Sequence, residues 1–422
     1  MFRLLSVPAF FPLWLGQVIS QIGDRALGLA LGFFVFKETG SVTATALLAL
    51  SVYLPGLLFG SFAGVLTDRW DRRRVLIISQ ILQGAVMLLL LLATQPGWLW
   101  VAYAVTFAEL TLSLVAMPAG AALLPSLVGE ERLGRANATL SVGTTVARLL
   151  GPPLGGVLVA SAGVRGVVIF DTLTFLGAAL CFMRLPRVPV TQSVSDTAPD
   201  TLIGSWRALA TEWRAGLHVI RHNRVILGLL VVLGLTSLGG TLIDSAYMPF
   251  VQGVLHADAA QVGLLSTVMG ASTLLGGVIA SWAVGRLPLA RLAAGGTLLV
   301  GALMLLMYTQ TSLTVMFAVT AVLGVPMVVS NVATSTLVQL ATPDAYRGRV
   351  YGALGTTTAL AGVIATGGAA LIGAQIGPVR LLTVAGGLTL LGAVAATVLL
   401  RPPSAPVGDR HAVGTPGEDA TT

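Results

Sequence analysis

Long apolar runs alternate with short polar segments along almost the whole chain. Twelve of these runs reach about 20 residues, the length that an α-helix needs to cross the hydrocarbon core of a bilayer. Turn-forming residues separate them, as at Gln95-Pro96-Gly97 and Gly377-Pro378. The pattern predicts an all-α membrane protein with spans at about residues 11–36, 43–66, 75–94, 98–122, 137–160, 165–184, 225–250, 261–284, 289–309, 313–339, 348–373 and 379–400.

A polar segment after the sixth predicted span divides the chain into two halves. We predict an N-terminal six-helix bundle at 1–185, a cytoplasmic linker at 186–224, a C-terminal six-helix bundle at 225–401 and a disordered cytoplasmic tail at 402–422. Arginines recur every seven residues in the second part of the linker, at Arg207, Arg214 and Arg221. This spacing favours an amphipathic helix on the membrane surface, although an ordinary solvated connector would also fit.

Two short internal matches indicate that one half duplicates the other. GVL at 64–66 is matched by GVI at 277–279, and GRAN at 134–137 is matched by GRVY at 348–351. Both pairs are separated by nearly the same number of residues, 213 and 214. A constant offset is expected if a six-helix unit was duplicated.

The composition is typical of a membrane protein and changes how the net positive charge is interpreted. The chain is 55% hydrophobic and 10% charged, whereas soluble proteins carry about a quarter charged residues. A net charge of +7 would suggest nucleic-acid binding in a soluble protein, but here we attribute it to cytoplasmic loops and expect no nucleic-acid partner. With the N-terminus inside, 19 of the 24 Lys and Arg residues lie in inner segments and 3 in outer ones. We therefore predict a bacterial inner-membrane protein with both termini in the cytoplasm.

Residues for metal or enzyme chemistry are sparse. The single cysteine, Cys181, lies within an apolar span and has no partner for an internal disulfide. The four histidines lie outside the apolar runs, and no Cys/His set has the spacing of a metal site. No Walker loop occurs, so direct coupling to ATP is not expected. We expect neither enzyme activity nor a cofactor.

The densest charge lies in the loop between the second and third spans, GVLTDRWDRRRV at residues 64–75. Its arginines would hold the loop in the cytoplasm, but topology does not explain its two acids, because acidic residues contribute little to orientation. Three glycines four residues apart precede the loop: Gly56, Gly60 and Gly64. They predict a face of the second span that permits close approach of another helix.

This loop resembles the loop 2–3 signature of the major facilitator superfamily, and DRWDRRRV is similar to the variant in macrolide-efflux-type drug exporters. Asp71 stands where the general pattern has glycine. LWLGQVISQIGDRA at 13–26, TGS at 39–41 and GRANATLSVGTTVARLLGPPLGG at 134–156 resemble the same group. The resemblance implies the major facilitator fold of 12 transmembrane helices in two six-helix bundles. It also implies a cytoplasmic gate between the bundles, formed by Gly64, Asp68, Arg69, Asp71, Arg72 and Arg73.

The fifth predicted span contains GPPLGG at 151–156. Proline within a membrane helix removes a backbone donor, and glycine gives a flat packing face, so a packing kink is one interpretation. The pattern is also similar to the motif that typifies antiporters of the superfamily, and its matching residues are Gly151, Pro152, Gly155 and Gly156. Ala138 and Ala147 replace two further glycines of that motif, and the matching region near 366–370 lacks the proline.

Six ionisable side chains lie within the predicted spans: Asp24, Arg25, Glu109, Arg148, Asp171 and Asp244. The last two are nearer the outer ends of their spans. A charge at mid-bilayer costs about 2.5–3.5 kcal/mol, so we expect these groups to face a wet cavity or one another. The resemblance implies that spans 1, 4, 5 and 7 line a central cavity. The residues predicted to face it are Gln17, Gln21, Asp24, Arg25, Glu109, Arg148 and Asp244.

These side chains suggest a mechanism. Burial favours the neutral form of a carboxylate and a nearby arginine favours the charged form, so an acid subject to both loads and releases a proton as its surroundings change. We expect Asp24 and Glu109 to carry protons and Arg148 to tune them, although a structural ion pair such as Glu109–Arg148 would also fit. The predicted function is proton-driven export of hydrophobic or amphipathic compounds, such as macrolides, by alternating access. We expect a monomer that uses the proton gradient as its energy source.

Two other functions stay open. One is export of a specific endogenous metabolite, such as a siderophore or a lipid. The other is a non-transporting membrane sensor, which would not need Asp24 and Glu109 to exchange protons. Several large side chains within the spans would suit a bulky apolar ligand: Phe33, Tyr53, Met117, Tyr247, Met248 and Met327.

Overall fold

The computed structural model describes residues 5, 7–187, 224–341 and 347–400. Within these ranges, the side chains of residues 61–69, 130, 224–225, 347–349 and 351–352 are not described. The predicted amphipathic segment of the linker and the predicted tail at 402–422 lie outside the described residues. So do the side chains of Gly64, Asp68 and Arg69 in the predicted gate.

The described residues form helices and contain no strand. The bounds of the first six are α1 Phe11–Thr39, α2 Val42–Arg69, α3 Arg72–Ala93, α4 Trp100–Val128, α5 at residues 133–162 and α6 at residues 164–183. The second six are α7 Arg224–Gly253, α8 Ala259–Ala283, α9 Leu289–Tyr308, α10 Leu313–Ala341, α11 Arg347–Ile376 and α12 Pro378–Leu399. The helix of α3 is interrupted at Leu89, between Arg72–Leu88 and Leu90–Ala93.

A single glycine separates α5 from α6. The helical segment Leu133–Met183 has 51 residues, which at 1.5 Å per residue would extend about 76 Å, far beyond the thickness of a bilayer. Its backbone leaves helical geometry at Gly163, where φ is 65° and ψ is −173°. Eleven helices among the described residues are long and apolar enough to span a membrane, and the division of this one gives twelve spans. The predicted all-α fold with twelve spans is thereby confirmed.

The helix ends follow local sequence signals. Gly40 ends α1 in the left-handed region, with φ at 58°, and its N–H donates to the Phe36 carbonyl at 2.7 Å. Ser41 caps α2 by accepting a hydrogen bond from the Ala44 N–H. Asp258 and Gln261 form a reciprocal capping box at the start of α8. These short connections keep consecutive helices antiparallel.

Exposed leucines give the outer surface its apolar character. On α6, Leu173, Leu176 and Leu180 follow a three- and four-residue spacing and are 60%, 42% and 58% exposed. A helix with such a stripe places it in lipid, while the opposite face packs against protein. Buried small residues on the inner faces allow the helices to pack closely.

The twelve helices pack as two groups of six. In the first, α1 packs on α5 and α6, α2 packs on α4, and α3 packs on α4 and α6. In the second, α7 packs on α11 and α12, α8 on α10, and α9 on α10 and α12. The groups meet mainly through α2 with α11 and through α5 with α8, with a smaller contact of α2 with α7. The second helix of each group thus faces the fifth helix of the other.

Hydrogen bonds join the two groups at the end of the bundle where α1 ends and α2 begins, which we name the sealed end. The Thr45 hydroxyl donates to the Ser245 carbonyl at 2.8 Å, and the Gln252 amide donates to the Phe33 carbonyl at 3.1 Å. These polar contacts connect the groups where they lie closest to each other.

The described hydrogen bonds and close glycine contacts between the groups lie toward the sealed end or near the middle of the helices. We name the opposite end, where α2 ends and α3 begins, the open end. A Cβ atom added to Gly277 on α8 or to Gly355 on α11 would meet no atom within 4 Å. The same is true at Gly56 and Gly60 on α2, so the predicted close approach at these two glycines is wrong for this conformation. The physical reason is that the described contacts of α2 with the second group, at Thr45 and Tyr53, lie nearer the sealed end.

Candidate functional site

Close packing of α1 on α6 brings two carboxylates together. A Cβ atom added to Gly16 would lie 2.5 Å from the Phe182 ring, and one added to Gly23 would collide with the Asp171 carboxylate and the Thr174 hydroxyl. Gly23 immediately precedes Asp24, so Asp171 lies beside the turn of α1 that carries Asp24. Only a residue without a side chain permits this approach.

Three acids gather within the first group. Asp24 on α1 is partly exposed, Glu109 on α4 is partly exposed, and Asp171 on α6 is completely buried. Each of the three lies close enough to another to repel it electrostatically when both are charged. The two predicted proton carriers, Asp24 and Glu109, are therefore neighbours in space although 85 residues separate them in the sequence.

Amide side chains of α3 hold Glu109. The Gln83 amide donates to the Glu109 carboxylate at 3.1 Å, and the Gln80 amide donates to Gln83 at 3.2 Å. Both glutamines are buried. Glu109 therefore has a neutral hydrogen-bond donor, and the alternative ion pair between Glu109 and Arg148 does not form among the described side chains.

Sequence reasoning counted Asp171 among the ionisable side chains of the spans but did not place it in the cavity, because it lies on span 6 and the resemblance assigns spans 1, 4, 5 and 7 to the cavity. A signal was present in the sequence, since Thr174 follows Asp171 by three residues and its hydroxyl donates to the carboxylate at 3.0 Å. The glutamines of α3 were missed as well, although Gln80 and Gln83 are the polar residues in the middle of an otherwise apolar helix.

The two arginines predicted to face the cavity are both exposed, and one of them lies near this cluster. Arg25 attracts Asp24 electrostatically and is itself exposed. Arg148 is also exposed, and it lies two and a half helical turns from Val157, which is 60% exposed to the lipid side. Arg148 is therefore on the face of α5 turned away from lipid. Pro152, which has no N–H, leaves the Arg148 carbonyl without its usual intrahelical donor.

The two glutamines predicted on α1 lie on the same side of the helix as Asp24. Gln17 packs on α4, where a Cβ atom added to Gly120 would lie 2.9 Å from the Gln17 amide nitrogen. Gln17 and Gln21 are both partly exposed, as Asp24 is. The predicted polar stripe of α1 thus forms a partly accessible face.

Asp244, the predicted cavity acid of the second group, lies apart from the other three. It is exposed, and the Tyr53 hydroxyl of α2 donates to its carboxylate at 2.5 Å. The Tyr53 ring also packs on α11, where a Cβ atom added to Gly362 would lie 2.9 Å from it. Tyr53 therefore touches two helices of the second group, and its hydrogen bond crosses the interface near mid-depth.

The glycines of GPPLGG bring α5 against helices of both groups. A Cβ atom added to Gly151 would lie 2.9 Å from the Ile22 carbonyl, and one added to Gly155 would collide with the Ala26 carbonyl, so both pack on the turn of α1 that includes Asp24. A Cβ atom added to Gly156 would lie 2.6 Å from the Ala259 carbonyl of α8. The backbone stays helical through Pro152 and Pro153.

The described part of the predicted gate makes its contacts within the first group. Asp71 caps α3 by accepting a hydrogen bond from the Arg74 N–H at 2.9 Å. The Arg72 guanidinium donates to the Ala122 carbonyl of α4 at 2.8 Å, and Arg73 donates to the Met183 carbonyl of α6. Cations at the ends of helices interact favourably with carbonyl groups there. None of the described contacts of Asp71, Arg72 and Arg73 reaches a described residue of the second group.

The site offers proton and ligand chemistry but no metal site. Within the described residues, no group of three or more His, Cys, Asp or Glu side chains has the geometry to hold a metal ion. The arrangement instead combines one buried acid and two partly exposed acids with neutral amides. Such intramembrane acids are typical of substrate and proton pathways.

Comparison with known proteins decides the family. The sequence profile of the Major Facilitator Superfamily matches residues 13–366 and 229–417. The chain belongs to the Major Facilitator Superfamily. It is accordingly a multi-pass membrane transporter and not an enzyme, and small molecules are the substrates of such proteins. The resemblance stated from the sequence motifs is confirmed.

The relatives of this superfamily member include exporters. Macrolide efflux protein A of Streptococcus pyogenes is 25% identical over 245 residues, which cover 57% of this chain and 56% of that protein. The enterobactin exporter EntS of Citrobacter koseri is 27% identical over 410 residues, covering 92% of this chain and 91% of that protein. The alignment with the macrolide exporter thus spans little more than half of either chain.

Solved structures share the fold. A bacterial homologue of the iron transporter ferroportin in an inward-facing state has a TM-score of 0.72 at 18% identity, covering 93% of this chain and 99% of that chain. The nucleoside transporter NupG also has a TM-score of 0.72, at 12% identity, covering 93% of this chain and all of that chain. Both match the superfamily architecture over almost the whole length.

Proposed function

We propose that this transporter exports hydrophobic or amphipathic small molecules, such as macrolides, in exchange for protons. The observation that carries the proposal is the gathering of Asp24, Glu109 and Asp171 in the first helix group. An ionisable acid within a membrane span is energetically costly, so its presence there indicates a function. Exchange of protons is a recurrent function of such acids. The exporters among the relatives support the outward direction.

The proposed cycle uses the two ends of the bundle. We assign the open end to the cytoplasm, because the predicted inner segments hold most of the arginines. A substrate enters from this side, and rocking of the groups then opens the sealed end toward the outside. A proton taken up from outside neutralises Asp24 or Glu109 and favours substrate release. Loss of that proton to the cytoplasm restores the present conformation.

Purified transporter in liposomes tests the proposal. A labelled macrolide is trapped or added under an imposed pH gradient, and internal pH is followed with a dye. We expect macrolide-dependent proton movement in the wild type and its loss in Glu109→Gln, because glutamine keeps the shape and the hydrogen bond with Gln83 but carries no titrating proton.

Glu38→Gln provides the matched control. It removes the same charge from an exposed position at the end of α1, at the sealed end. Proton movement should persist in this variant. Macrolide transport that is equally fast with and without a pH gradient would contradict proton exchange, and unchanged proton movement in Glu109→Gln would remove Glu109 from the mechanism.

A specific observation supports a second candidate substrate class. The enterobactin exporter aligns over 92% of the chain, whereas the macrolide exporter aligns over 57%. Export of an endogenous siderophore-like metabolite is therefore the alternative within the same mechanism. Competition between a catecholate siderophore and the labelled macrolide for transport in the same liposomes distinguishes the two.

A further inference from the structure

Asp171 is buried without a full set of partners. The residue is 0% exposed, its Oδ1 accepts a hydrogen bond from the Thr174 hydroxyl, and its Oδ2 is buried and has no hydrogen-bond partner. An ionised carboxylate in such a place would lack both water and donors. Burial of an uncompensated charge is costly enough that a group normally becomes neutral instead.

The charged groups around Asp171 do not compensate it. On α1, Asp24 lies close enough to repel Asp171 electrostatically, and Arg25 follows Asp24 in the chain. On α4, Glu109 also repels Asp171 when both are charged. The third neighbour, α3, has no charged residue after Arg74, and the amides Gln80 and Gln83 occupy its middle. Both acids that act on Asp171 add negative potential there. Arg25 is exposed and attracts Asp24, so it does not compensate Asp171 directly. Three adjacent carboxylates with one nearby guanidinium cannot all be ionised at low cost.

We propose that Asp171 is a proton-carrying residue that holds a proton in this conformation and exchanges it with the space between the helix groups through Asp24. This inference rests on the proposed proton exchange and adds a third residue to it. The proton passes from the Asp171 carboxyl to the Asp24 carboxylate, which leaves Asp171 ionised and Asp24 neutral. Asp24 then gives the proton to water at its partly exposed side.

The packing explains why Asp24 is the connection. Gly23 lies directly on the Asp171 carboxylate, so the backbone of α1 brings the next residue beside it. Asp171 itself has no exposed surface, whereas Asp24 is partly exposed. A proton on Asp171 therefore reaches water by way of α1, and movement of α1 relative to α6 changes that connection.

Infrared difference spectroscopy of the purified full-length transporter tests the inference. A protonated carboxylic acid has a carbonyl stretch at a higher frequency than the bands of carboxylates and amides. We expect a band from a water-shielded acid at neutral pH in the wild type and its loss in Asp171→Asn. Glu38→Gln, which removes an exposed acid at the end of α1 and outside the cluster, should leave the band in place.

The outcomes separate this inference from the proposed function. A band that is unchanged in Asp171→Asn, or absent from the wild type at neutral pH, overturns the inference whatever transport is measured. If the liposome assay detects no proton movement while the band depends on Asp171, the proposed exchange fails and Asp171 is a buried neutral acid. Thermal unfolding of Asp171→Asn in detergent guards against misfolding, because asparagine fills the same space as aspartate and a folded variant should unfold near the wild-type temperature.

Discussion

Gly23 controls the distance between α1 and α6 at a single residue. An added Cβ would collide with the Asp171 carboxylate and the Thr174 hydroxyl, neither of which has free space to withdraw into, since both residues are buried. Gly28, five residues further along α1, is exposed, and an added Cβ there would meet no atom within 4 Å. The two glycines differ in packing while sharing one helix.

Gly23→Ala should therefore destabilise the transporter by about 1–3 kcal/mol, the usual cost of overpacking a tight site. Gly28→Ala should be neutral or stabilise by about 0.5–1 kcal/mol, because alanine fits a helix better than glycine. Thermal unfolding in detergent measures both. Equal unfolding temperatures for the two variants would contradict the close contact at Gly23.

At the residue scale, the sequence predicted the acids but not how they combine. Asp24 and Glu109 were found because polar residues recur beside them at helical spacing. Asp171 and Gln83 were not, because their importance depends on which helix faces which, and that is decided by packing of glycine surfaces. The sequence also singled out the gate residues Arg72 and Arg73. Their contacts with nearby carbonyls could not be predicted from it, because those contacts follow only from the fold.

The backbones of the two helix groups approach each other closely where α5 crosses α8. A Cβ atom added to Gly156 would lie 3.1 Å from the Gly263 Cα and nearer still to the Ala259 carbonyl. Backbone atoms cannot move aside as the end of a flexible side chain can. A single methyl group at position 156 must therefore push the two helices apart at the sealed end.

Gly156→Ala is expected to open the sealed end. Spin labels on Ser161→Cys and Ala260→Cys, both exposed positions near this crossing, report the separation in a Cys181→Ser background, since Cys181 is the single cysteine. The label distance should increase relative to the unsubstituted protein. Gly277→Ala on α8 should leave it unchanged, because an added Cβ meets nothing there. No increase in Gly156→Ala would show that the crossing tolerates side chains.

At the element scale, periodic apolar runs were enough to predict all twelve spans, because each run is long and bounded by Pro, Gly or polar residues. The same reasoning predicted close packing at Gly56 and Gly60, where the structure has open space. The same sequence must support every conformation of a transporter. Its motifs therefore do not indicate which contacts exist in any one conformation. The conformation had to come from the structure.

The whole molecule is held in this conformation by contacts between the two helix groups. Among the described hydrogen bonds between the groups, the one from the Tyr53 hydroxyl to Asp244 involves a carboxylate. Hydrogen bonds to charged groups contribute about 1.5–3 kcal/mol, and each 1.4 kcal/mol changes an equilibrium tenfold. The balance between the two access states should therefore be sensitive to this one hydroxyl.

Tyr53→Phe should shift the population toward the conformation that is open at the present sealed end, by about tenfold or more. The same label pair at 161 and 260 measures the two populations. Tyr103→Phe is the control, because in the described part of the chain the Tyr103 hydroxyl makes no hydrogen bond. Equal populations in both variants would mean that Tyr53 does not stabilise this state.

The one-residue connection at Gly163 leaves α5 and α6 almost no independent freedom at the sealed end. α5 contacts the second group at Gly156, while α6 holds Asp171 eight residues after the connection. Any tilt of α5 during reorientation must therefore pull the start of α6 with it. Motion at the surface between the halves would then reach the buried acid through covalent backbone, without a relay of side chains.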